Sequence, residues 1–284
     1  MKLDTTSLKY VCPKCGKKRF VRYIPSPGDE YGRCDRSDSC GYFLKPNRTK
    51  PSWTPEPVEP QKPVYVPWPV LQSIQKGYAN NTFVQNLLKQ YEPRQVQTAV
   101  AMYQLGTLKD GSVAFPYIDE HGQINSIEAI LYNETNHRTG NPKWIHKLLP
   151  QDSPWLQEYL RLERKTNCLF GAHLAHSAPN AIIAIVEAPK TAVIASIEFP
   201  ECIWMASFNV SSLAYYKVKA LAGRRVILYP DLKAEELWTQ KAQEFNQLMP
   251  DSMFTVSNAL RDFASPDDVE QGLDLADFLQ EEPR

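Results

Sequence analysis

Four cysteines in the first 40 residues have the spacing of a metal site. Cys12 and Cys15 enclose two residues, Cys34 and Cys40 enclose five, and 18 residues separate the two pairs. Each pair can present two thiolates to one tetrahedral Zn²⁺, and Gly16 after the first pair allows the positive φ of a tight turn. Two disulfides are the alternative, but no feature marks the chain as secreted. The spacing therefore predicts a structural zinc ion bound by all four cysteines.

Cationic and aromatic residues are interleaved directly after the first cysteine pair. Residues 17–23 are Lys-Lys-Arg-Phe-Val-Arg-Tyr, a composition that favours a strand. Lysine and arginine bind phosphates and aromatic rings stack on bases, so this mixture is typical of a surface for single-stranded nucleic acid. The alternative is that the rings build the small core of this unit. The residues predicted to contact nucleic acid are Lys17, Arg19, Phe20 and Arg22.

Two acidic residues each follow an unbroken apolar run. Glu187 comes after Ala-Ile-Ile-Ala-Ile-Val at 181–186, and Asp231 ends the run Arg-Val-Ile-Leu-Tyr-Pro-Asp that starts at Arg225. Apolar runs without alternation are typical of parallel strands that helices cover on both faces. Ligands of such sheets bind at the carboxyl ends of the strands. The two carboxylates are therefore candidates for Mg²⁺, and the alternative is that they cap the following helices.

The order of predicted strands and helices indicates an α/β protein with four segments, which must position these residues. A zinc ribbon occupies residues 1–44, and a linker at 45–69 holds eight prolines, which favour an extended chain. A mixed α+β lobe follows at 70–165, with helices predicted at 70–76, 82–91 and 93–103 and a β-hairpin at 112–132. Residues 166–284 alternate strands with helices at 189–198, 211–221 and 234–249, which indicates a mainly parallel sheet.

Charge is segregated although the net charge is zero. Residues 1–50 hold 12 Lys/Arg against 5 Asp/Glu, or +7, whereas residues 234–284 hold 3 against 12, or −9. A basic head indicates an anionic partner such as nucleic acid, and an acidic tail is typical of a solvated surface. The apolar runs are shorter than the roughly 20 residues of a spanning helix, so we expect no membrane partner and a cytoplasmic location.

The order of several short motifs resembles the catalytic core of bacterial replicative primases. The motifs are Phe115-Pro-Tyr-Ile-Asp with Gly122-Gln-Ile, Pro142-Lys-Trp-Ile, Leu169-Phe-Gly-Ala-His-Leu-Ala, and Ile185-Val-Glu with Lys190-Thr-Ala-Val-Ile-Ala. The ribbon motifs Gly32-Arg-Cys-Asp-Arg and Cys40-Gly-Tyr are similar to those of primase-like proteins often carried on mobile elements. This resemblance implies a ribbon that contacts template and a Toprim-like domain at residues 166–284.

The resemblance also implies roles for single residues. In this family a glutamate and an Asp-x-Asp motif bind Mg²⁺ or Mn²⁺ for phosphoryl transfer. Glu187 matches the glutamate, and Asp231 matches the first aspartate of the motif. Lys233 replaces the second aspartate, which should weaken metal binding by charge repulsion. Two replacements are open: Glu235 or Glu236, one turn into the next helix, reaches back to the site, or Lys233 itself neutralises a phosphate in place of one metal ion.

Three lysines are predicted to contact phosphates. Lys143 and Lys190 match basic residues that approach nucleotide or template phosphates in the family, and Lys147 lies in the same polar segment as Lys143. The alternative for a lysine in a polar loop is simple solvation. Asp274 and Asp277 resemble an acidic Asp-x-x-Asp stretch that closes several primase-like Toprim proteins, or they form a charged face of the last helix.

These expectations predict a primase-like nucleic-acid-binding protein. Its partners would be single-stranded nucleic acid, with DNA as the main expectation, and nucleotides. Mg²⁺-dependent nucleotidyl transfer would serve DNA replication or the transfer of a mobile element, together with replication or transfer proteins. The alternatives are a non-catalytic adaptor built on the Toprim-like scaffold and a Toprim nuclease, which uses the same acids with water as the attacking group.

Overall fold

The computed structural model describes residues 2–4, 9–36, 40–46, 63–162, 165–209 and 212–280. The chain divides into two units, residues 1–62 and residues 63–284. Most of the predicted proline-rich linker lies outside the described residues. None of the described helices combines the length and apolar character needed to cross a bilayer.

The first unit is a small antiparallel sheet. Its strands are β1 (Lys2–Leu3), β2 (Tyr10–Val11), β3 (Lys18–Ile24), β4 (Gly32–Cys34) and β5 (Phe43–Leu44). Strand β3 pairs with β1, β2 and β4, and β4 pairs with β5. A Cβ atom at position 32 would lie 2.0 Å from the carbonyl oxygen of Val21, so only glycine allows β3 and β4 to approach this closely.

The second unit begins with three helices, α1 (Trp68–Ile74), α2 (Thr82–Gln90) and α3 (Pro93–Met102). An antiparallel sheet follows in the order β6 (Gly106–Thr107), β7 (Val113–Ile118), β8 (Ile124–Ile130) and β9 (Lys143–Trp144). Helices α4 (Ile145–Leu148) and α5 (Pro154–Arg161) complete this part. The three helices and the hairpin predicted for this part are confirmed, and their ends lie within two residues of the predicted positions.

A parallel sheet forms the rest of the second unit. Its strands are β10 (Ile182–Val186), β11 (Cys202–Ala206), β12 (Arg225–Leu228) and β13 (Met253–Val256), in the spatial order β11-β10-β12-β13. All three pairings are parallel, as the apolar runs predicted. The chain is thus a mixed α/β protein with an amino-terminal zinc-ribbon-like cysteine cluster and a parallel sheet.

Among the residues described, six α-helices follow or connect these strands: α6 (Pro189–Glu198), α7 (Tyr215–Val218), α8 (Glu235–Leu248), α9 (Ala259–Phe263), α10 (Pro266–Gln271) and α11 (Leu275–Gln280). Helix α7 begins later than the predicted 211–221, and a 3₁₀ turn at Lys219–Leu221 continues it to the predicted end. The side chain of Asn209 accepts hydrogen bonds from the backbone N–H and the hydroxyl of Ser212, which forms a turn before the helix starts.

Helix α6 and the aromatic core connect the two sheets of the second unit. Residues 189–197 of α6 are all buried, because β11, α3 and α11 pack around it. The Tyr103 ring stacks on Phe170 at 5.0 Å, and its hydroxyl donates to the carbonyl of Trp204 at 2.8 Å. Phe170 also contacts Phe115 and Tyr117 of β7 edge to face. These contacts pack the parallel sheet against the antiparallel sheet through Tyr103 and Phe170.

Candidate zinc centre, carboxylate site and aromatic cleft

The four cysteine sulfurs converge in the first unit. All four Sγ atoms lie within 4.8 Å of one another, with Cys12 and Cys40 at 3.7 Å and Cys15 and Cys34 at 4.0 Å. A tetrahedral Zn²⁺ with Zn–S bonds of about 2.3 Å requires sulfurs about 3.8 Å apart, so the cluster fits this ion. The structural zinc predicted from the cysteine spacing is confirmed as a four-sulfur site. Its turns are built by backbone bonds from Gly16 to Cys12 and from Cys40 to Arg36.

The surface of the ribbon differs from the predicted nucleic-acid contact. Phe20 is fully buried and packs against Tyr42 at 5.6 Å, so its ring has no face for a base. This burial corrects the assignment of Phe20, and the reason is the small core that the unit must build. Arg22 pairs with Asp29 at 2.8 Å and lies over the ring of Tyr10.

An exposed aromatic residue lies elsewhere on the ribbon. Phe43 of β5 is 45% exposed, the Lys45 ammonium lies 5.4 Å from its ring centroid, and Arg33 of β4 is its cross-strand neighbour. Arg19 is exposed and Lys17 is half-buried. Sequence reasoning missed Phe43 because an isolated Tyr-Phe-Leu run does not indicate which ring faces solvent.

The two predicted acidic residues lie at the carboxyl ends of neighbouring parallel strands. Glu187 directly follows β10, and Asp231 lies three residues after β12. Burial, the charge of Asp274 and the charge of Glu187 raise the pKa of Asp231 to about 9, with a contribution from a hydrogen bond between the Asp231 and Glu187 side chains. Two carboxyl groups this close cannot both be ionised without a cation, so one proton is retained.

Lys190 contacts a second pair of acids rather than solvent. Its Nζ lies 3.4 Å from Oδ2 of Asp274 and 3.3 Å from Oδ1 of Asp277, and only 8% of the residue is exposed. Burial alone lowers the pKa of an amine, but the charges of Asp274 and Asp277 raise the pKa of Lys190 above its ordinary value. The hydroxyl of Thr191 donates to Oδ2 of Asp274 at 3.0 Å. Lys190 is therefore charged and internally paired.

Lys233, which replaces the second aspartate of the motif, and Glu235, which was predicted to compensate for it, both have partners within the protein. The Lys233 ammonium donates to the backbone carbonyl of Glu270. Both oxygens of Glu235 accept from the Arg261 guanidinium, at 2.9 and 3.0 Å. Arg261 thus neutralises the carboxylate that was predicted to join Glu187 and Asp231.

The donor set as arranged does not fit a divalent metal ion. Within the described ranges, the cysteine cluster is the only set of three or more acidic, cysteine or histidine ligand atoms that converges. The nearby Asp274 and Asp277 are occupied by the Lys190 ammonium. Mg²⁺ prefers several free carboxylate and water oxygens, so the lysine competes with it here.

A cleft of about 430 Å³ lies at the end of β9. Trp144 and Phe208 form a wall, with ring centroids 5.5 Å apart, and Tyr216 lines the cleft beside them. Lys147 and Lys165 also line it. Lys143, in contrast, pairs with Asp110 at 2.6 Å and lowers the pKa of that carboxyl.

His146 is a buried polar residue at this cleft. It is 7% exposed, and its Nδ1 atom has no hydrogen-bond partner in the part of the chain that the structure describes. Burial and the charges of Lys165 and Lys147 lower the pKa of His146 to about 4, so the ring is neutral at pH 7. Sequence reasoning identified Lys147 but missed Lys165, Phe208 and Tyr216, because these residues are far apart in sequence.

Comparisons with known families agree with this architecture. Residues 1–52 match a family described as a zinc beta-ribbon finger, in line with the cysteine cluster. Residues 81–232 match a second family, and this match covers more than half of the 284 residues. The chain belongs to that family, described as domain of unknown function DUF6371. No curated protein matches the chain.

Among solved structures, primase catalytic cores are similar to the chain. The Escherichia coli primase catalytic core is 16% identical, with 74% of this chain and 78% of that chain covered and a TM-score of 0.43. The RNA polymerase domain of the Mycobacterium tuberculosis primase is 13% identical, with 71% and 78% covered and a TM-score of 0.41. The primase fragment of the bacteriophage T7 primase-helicase is 15% identical, with 93% and 98% covered and a TM-score of 0.40.

Proposed function

We propose that this chain is a primase-like protein that binds single-stranded nucleic acid. The observation that carries the proposal is the cleft lined by Trp144, Phe208, Tyr216, Lys147 and Lys165. Aromatic rings stack on bases of any sequence and lysines neutralise phosphates, which is the composition of platforms for single strands. The primase-like motif Pro142-Lys-Trp-Ile, which contains Trp144 of the cleft, supports the same partner class.

The ribbon supplies a second contact surface in this proposal. Arg19, Arg33 and Lys45 provide charge, and the exposed ring of Phe43 provides a stacking face. The excess of basic residues over residues 1–50 strengthens this surface for a polyanion. DNA is the proposed form of nucleic acid.

Binding is tested with the zinc-loaded chain and a fluorescent single-stranded oligonucleotide, measured by anisotropy at several salt concentrations. The double variant Lys147→Ala/Lys165→Ala should weaken binding about tenfold and reduce the salt slope, because each lost phosphate contact lowers it by roughly one unit. The control Lys76→Ala/Lys109→Ala removes the same charge from exposed positions outside the cleft. Equal losses in both double variants would show only non-specific attraction and would contradict the cleft as the interface.

Nucleotidyl transfer is a separate proposal with its own test. In it, the carboxylates would have to rearrange from the contacts described above, so that Glu187 and Asp231 of the Toprim-like domain would hold Mg²⁺ or Mn²⁺. Nucleotides would be the substrates, in DNA replication or mobile-element transfer. Template, labelled ribonucleotides and either metal are incubated with the chain and with Glu187→Gln. Primers that disappear in the variant would support transfer, and cleaved template would indicate a nuclease.

A non-catalytic adaptor is the candidate that the lysine contacts favour. Lys190 pairs with Asp274 and Asp277, and Arg261 pairs with Glu235, so the carboxylates around Asp231 are balanced within the protein. An adaptor of this kind would bind single strands without turnover. Oligonucleotide binding that is unchanged in Glu187→Gln, together with the absence of any product from the wild type, would support it.

A further inference from the structure

The carboxylates of Asp274 and Asp277 are already satisfied by donors of the protein. Oδ1 of Asp274 accepts from the backbone N–H of Asp277, and Oδ2 of Asp277 accepts from the backbone N–H of Asp274. Oδ2 of Asp274 accepts from the Thr191 hydroxyl, and Lys190 contacts the remaining oxygen of Asp277. Each of the four oxygens therefore has a partner, and the two residues cap helix α11 in a reciprocal arrangement.

Lys190 provides a buried positive charge within this acidic region. It is the second residue of α6, a helix whose first nine residues are buried, so its side chain cannot reach solvent as a surface lysine would. Both of its contacts are with acids, and its charge also acts on Asp231. A buried ammonium requires such pairing, because an uncompensated charge is costly away from water.

The partner carboxylates are held in place by the packing of α11. Ala276 is fully buried, and Leu275 and Leu279 pack against the main core of the second unit. Helix α11 contacts α6, so the pairing of Lys190 belongs to the folded core and does not depend on a mobile surface side chain. Lys233, the lysine that replaces a family aspartate, is directed instead to the carbonyl of Glu270.

We propose that the ammonium group of Lys190 is the resident cation of this carboxylate site, in the charge-balancing position that a divalent metal ion would otherwise take. Helix α11 delivers Asp274 and Asp277 to the lysine, and a metal ion binds near Glu187 and Asp231 only when the charge of Lys190 is removed. This proposal goes beyond nucleic-acid binding and does not depend on it. It is the alternative to metal-dependent nucleotidyl transfer, because the two cannot both hold for the wild type.

The test is a titration of the zinc-loaded full chain with Mn²⁺, followed by the loss of the electron paramagnetic resonance signal of the free ion. Wild type should show no saturable Mn²⁺ binding at this site over the titrated range. Lys190→Met should bind it at least about tenfold more tightly, because a unit charge close to a divalent ion is removed. Lys190→Gln keeps a hydrogen-bond donor without the charge and serves as a second variant if Lys190→Met does not fold. Adding Glu187→Gln to either variant should abolish the gained site.

Lys233→Met is the matched control. It removes a lysine of the same region, but the contact described for this ammonium is with the backbone carbonyl of Glu270 and not with an acid. Tighter Mn²⁺ binding in Lys233→Met but not in Lys190→Met or Lys190→Gln would overturn the proposal. A saturable Mn²⁺ site in the wild type that Glu187→Gln removes would also overturn the proposal. This second test does not require any Lys190 variant to fold. Oligonucleotide binding measured on the same samples separates these outcomes from a failure of the proposed function.

Discussion

The Thr191 hydroxyl donates to Oδ2 of Asp274 at 3.0 Å, across 83 residues of sequence. Thr191 is in the first turn of α6, and Asp274 precedes the last described helix, α11. This bond and the neighbouring Lys190 pair attach the carboxy-terminal helix to the edge of the parallel sheet that carries Glu187. The acidic carboxy-terminal segment is thus part of the candidate site.

Replacing Asp274 by asparagine tests how strongly this attachment contributes to stability. Asparagine keeps the capability to cap α11 but removes the charge that pairs with Lys190, which leaves a buried ammonium with fewer partners. Removing one partner of a buried ion pair costs about 3–5 kcal/mol, and we expect a loss near the lower end because Asp277 remains. The free energy of unfolding is measured with urea.

Asp267→Asn is the control for that prediction. Asp267 is exposed in the first turn of α10, so its loss should cost less than about 1 kcal/mol. Equal destabilisation by Asp267→Asn and Asp274→Asn would show that the Lys190 pair contributes nothing beyond helix capping.

The stability of the second unit should fall as pH rises through the range where Glu128 ionises. Glu128 is 2% exposed on β8 and accepts a hydrogen bond from Tyr117 at 3.1 Å. Burial raises the pKa of Glu128 to about 7 in the folded protein, against 4.5 as its ordinary value. The folded state therefore retains a proton on Glu128 that the unfolded chain loses. The contribution of protonated Glu128 to the free energy of unfolding is complete below pH 4.5 and is lost as the pH rises to about 7.

Glu128→Gln should remove this part of the pH dependence. At pH 8 the variant should be more stable than the wild type by up to about 3 kcal/mol, since one unit of pKa corresponds to 1.36 kcal/mol. Urea unfolding at pH 5, 6.5 and 8 measures the effect. The exposed Glu134 supplies a control as Glu134→Gln, and a wild type with the same pH profile as Glu128→Gln would contradict the prediction.

The chain should bind one zinc ion, and this ion should keep the first unit folded. Cys12→Ala removes one of four sulfurs, and we expect loss of zinc together with loss of the ribbon sheet, because small metal domains fold through their ion. Zinc is quantified with a chromogenic chelator after denaturation. Cys168→Ala, which alters a buried thiol of the second unit, should retain the full zinc content.

Phe43→Ala should weaken oligonucleotide binding without unfolding the ribbon. One stacked base is worth about 1–3 kcal/mol, so the dissociation constant should rise at least about fivefold. Val11→Ala removes another exposed apolar side chain, 59% exposed, and should change affinity little. Phe20→Ala should instead lower zinc retention and folding of the ribbon. Unchanged affinity in Phe43→Ala would exclude the ring as a stacking contact.

Much of the architecture could be predicted from local patterns. The zinc site follows from the spacing of four cysteines, and the parallel strands follow from apolar runs that no polar residue interrupts. The end of each run also placed Glu187 and Asp231 at one edge of the sheet, since parallel strands share their direction. These features are determined by residues that are close in sequence.

The partners of the charged and aromatic residues could not be predicted in the same way. Glu235 was expected to approach Asp231, but its carboxylate pairs with Arg261. Phe20 was expected at the surface, but the ribbon has few other residues for its core. A sequence pattern shows which residue types are present, whereas burial and pairing depend on which segments pack together.

The sequence by itself determined the zinc ligands, the α/β class and the strand ends where acidic residues meet. Tertiary structure alone decided that Lys190 pairs with Asp274 and Asp277, which lie more than 80 residues away. It also brought Phe208 and Tyr216 to the lysines and tryptophan of the cleft. The physical reason is that pairing energies of charges and rings depend on distance and on exclusion of water, and folding sets both between remote segments.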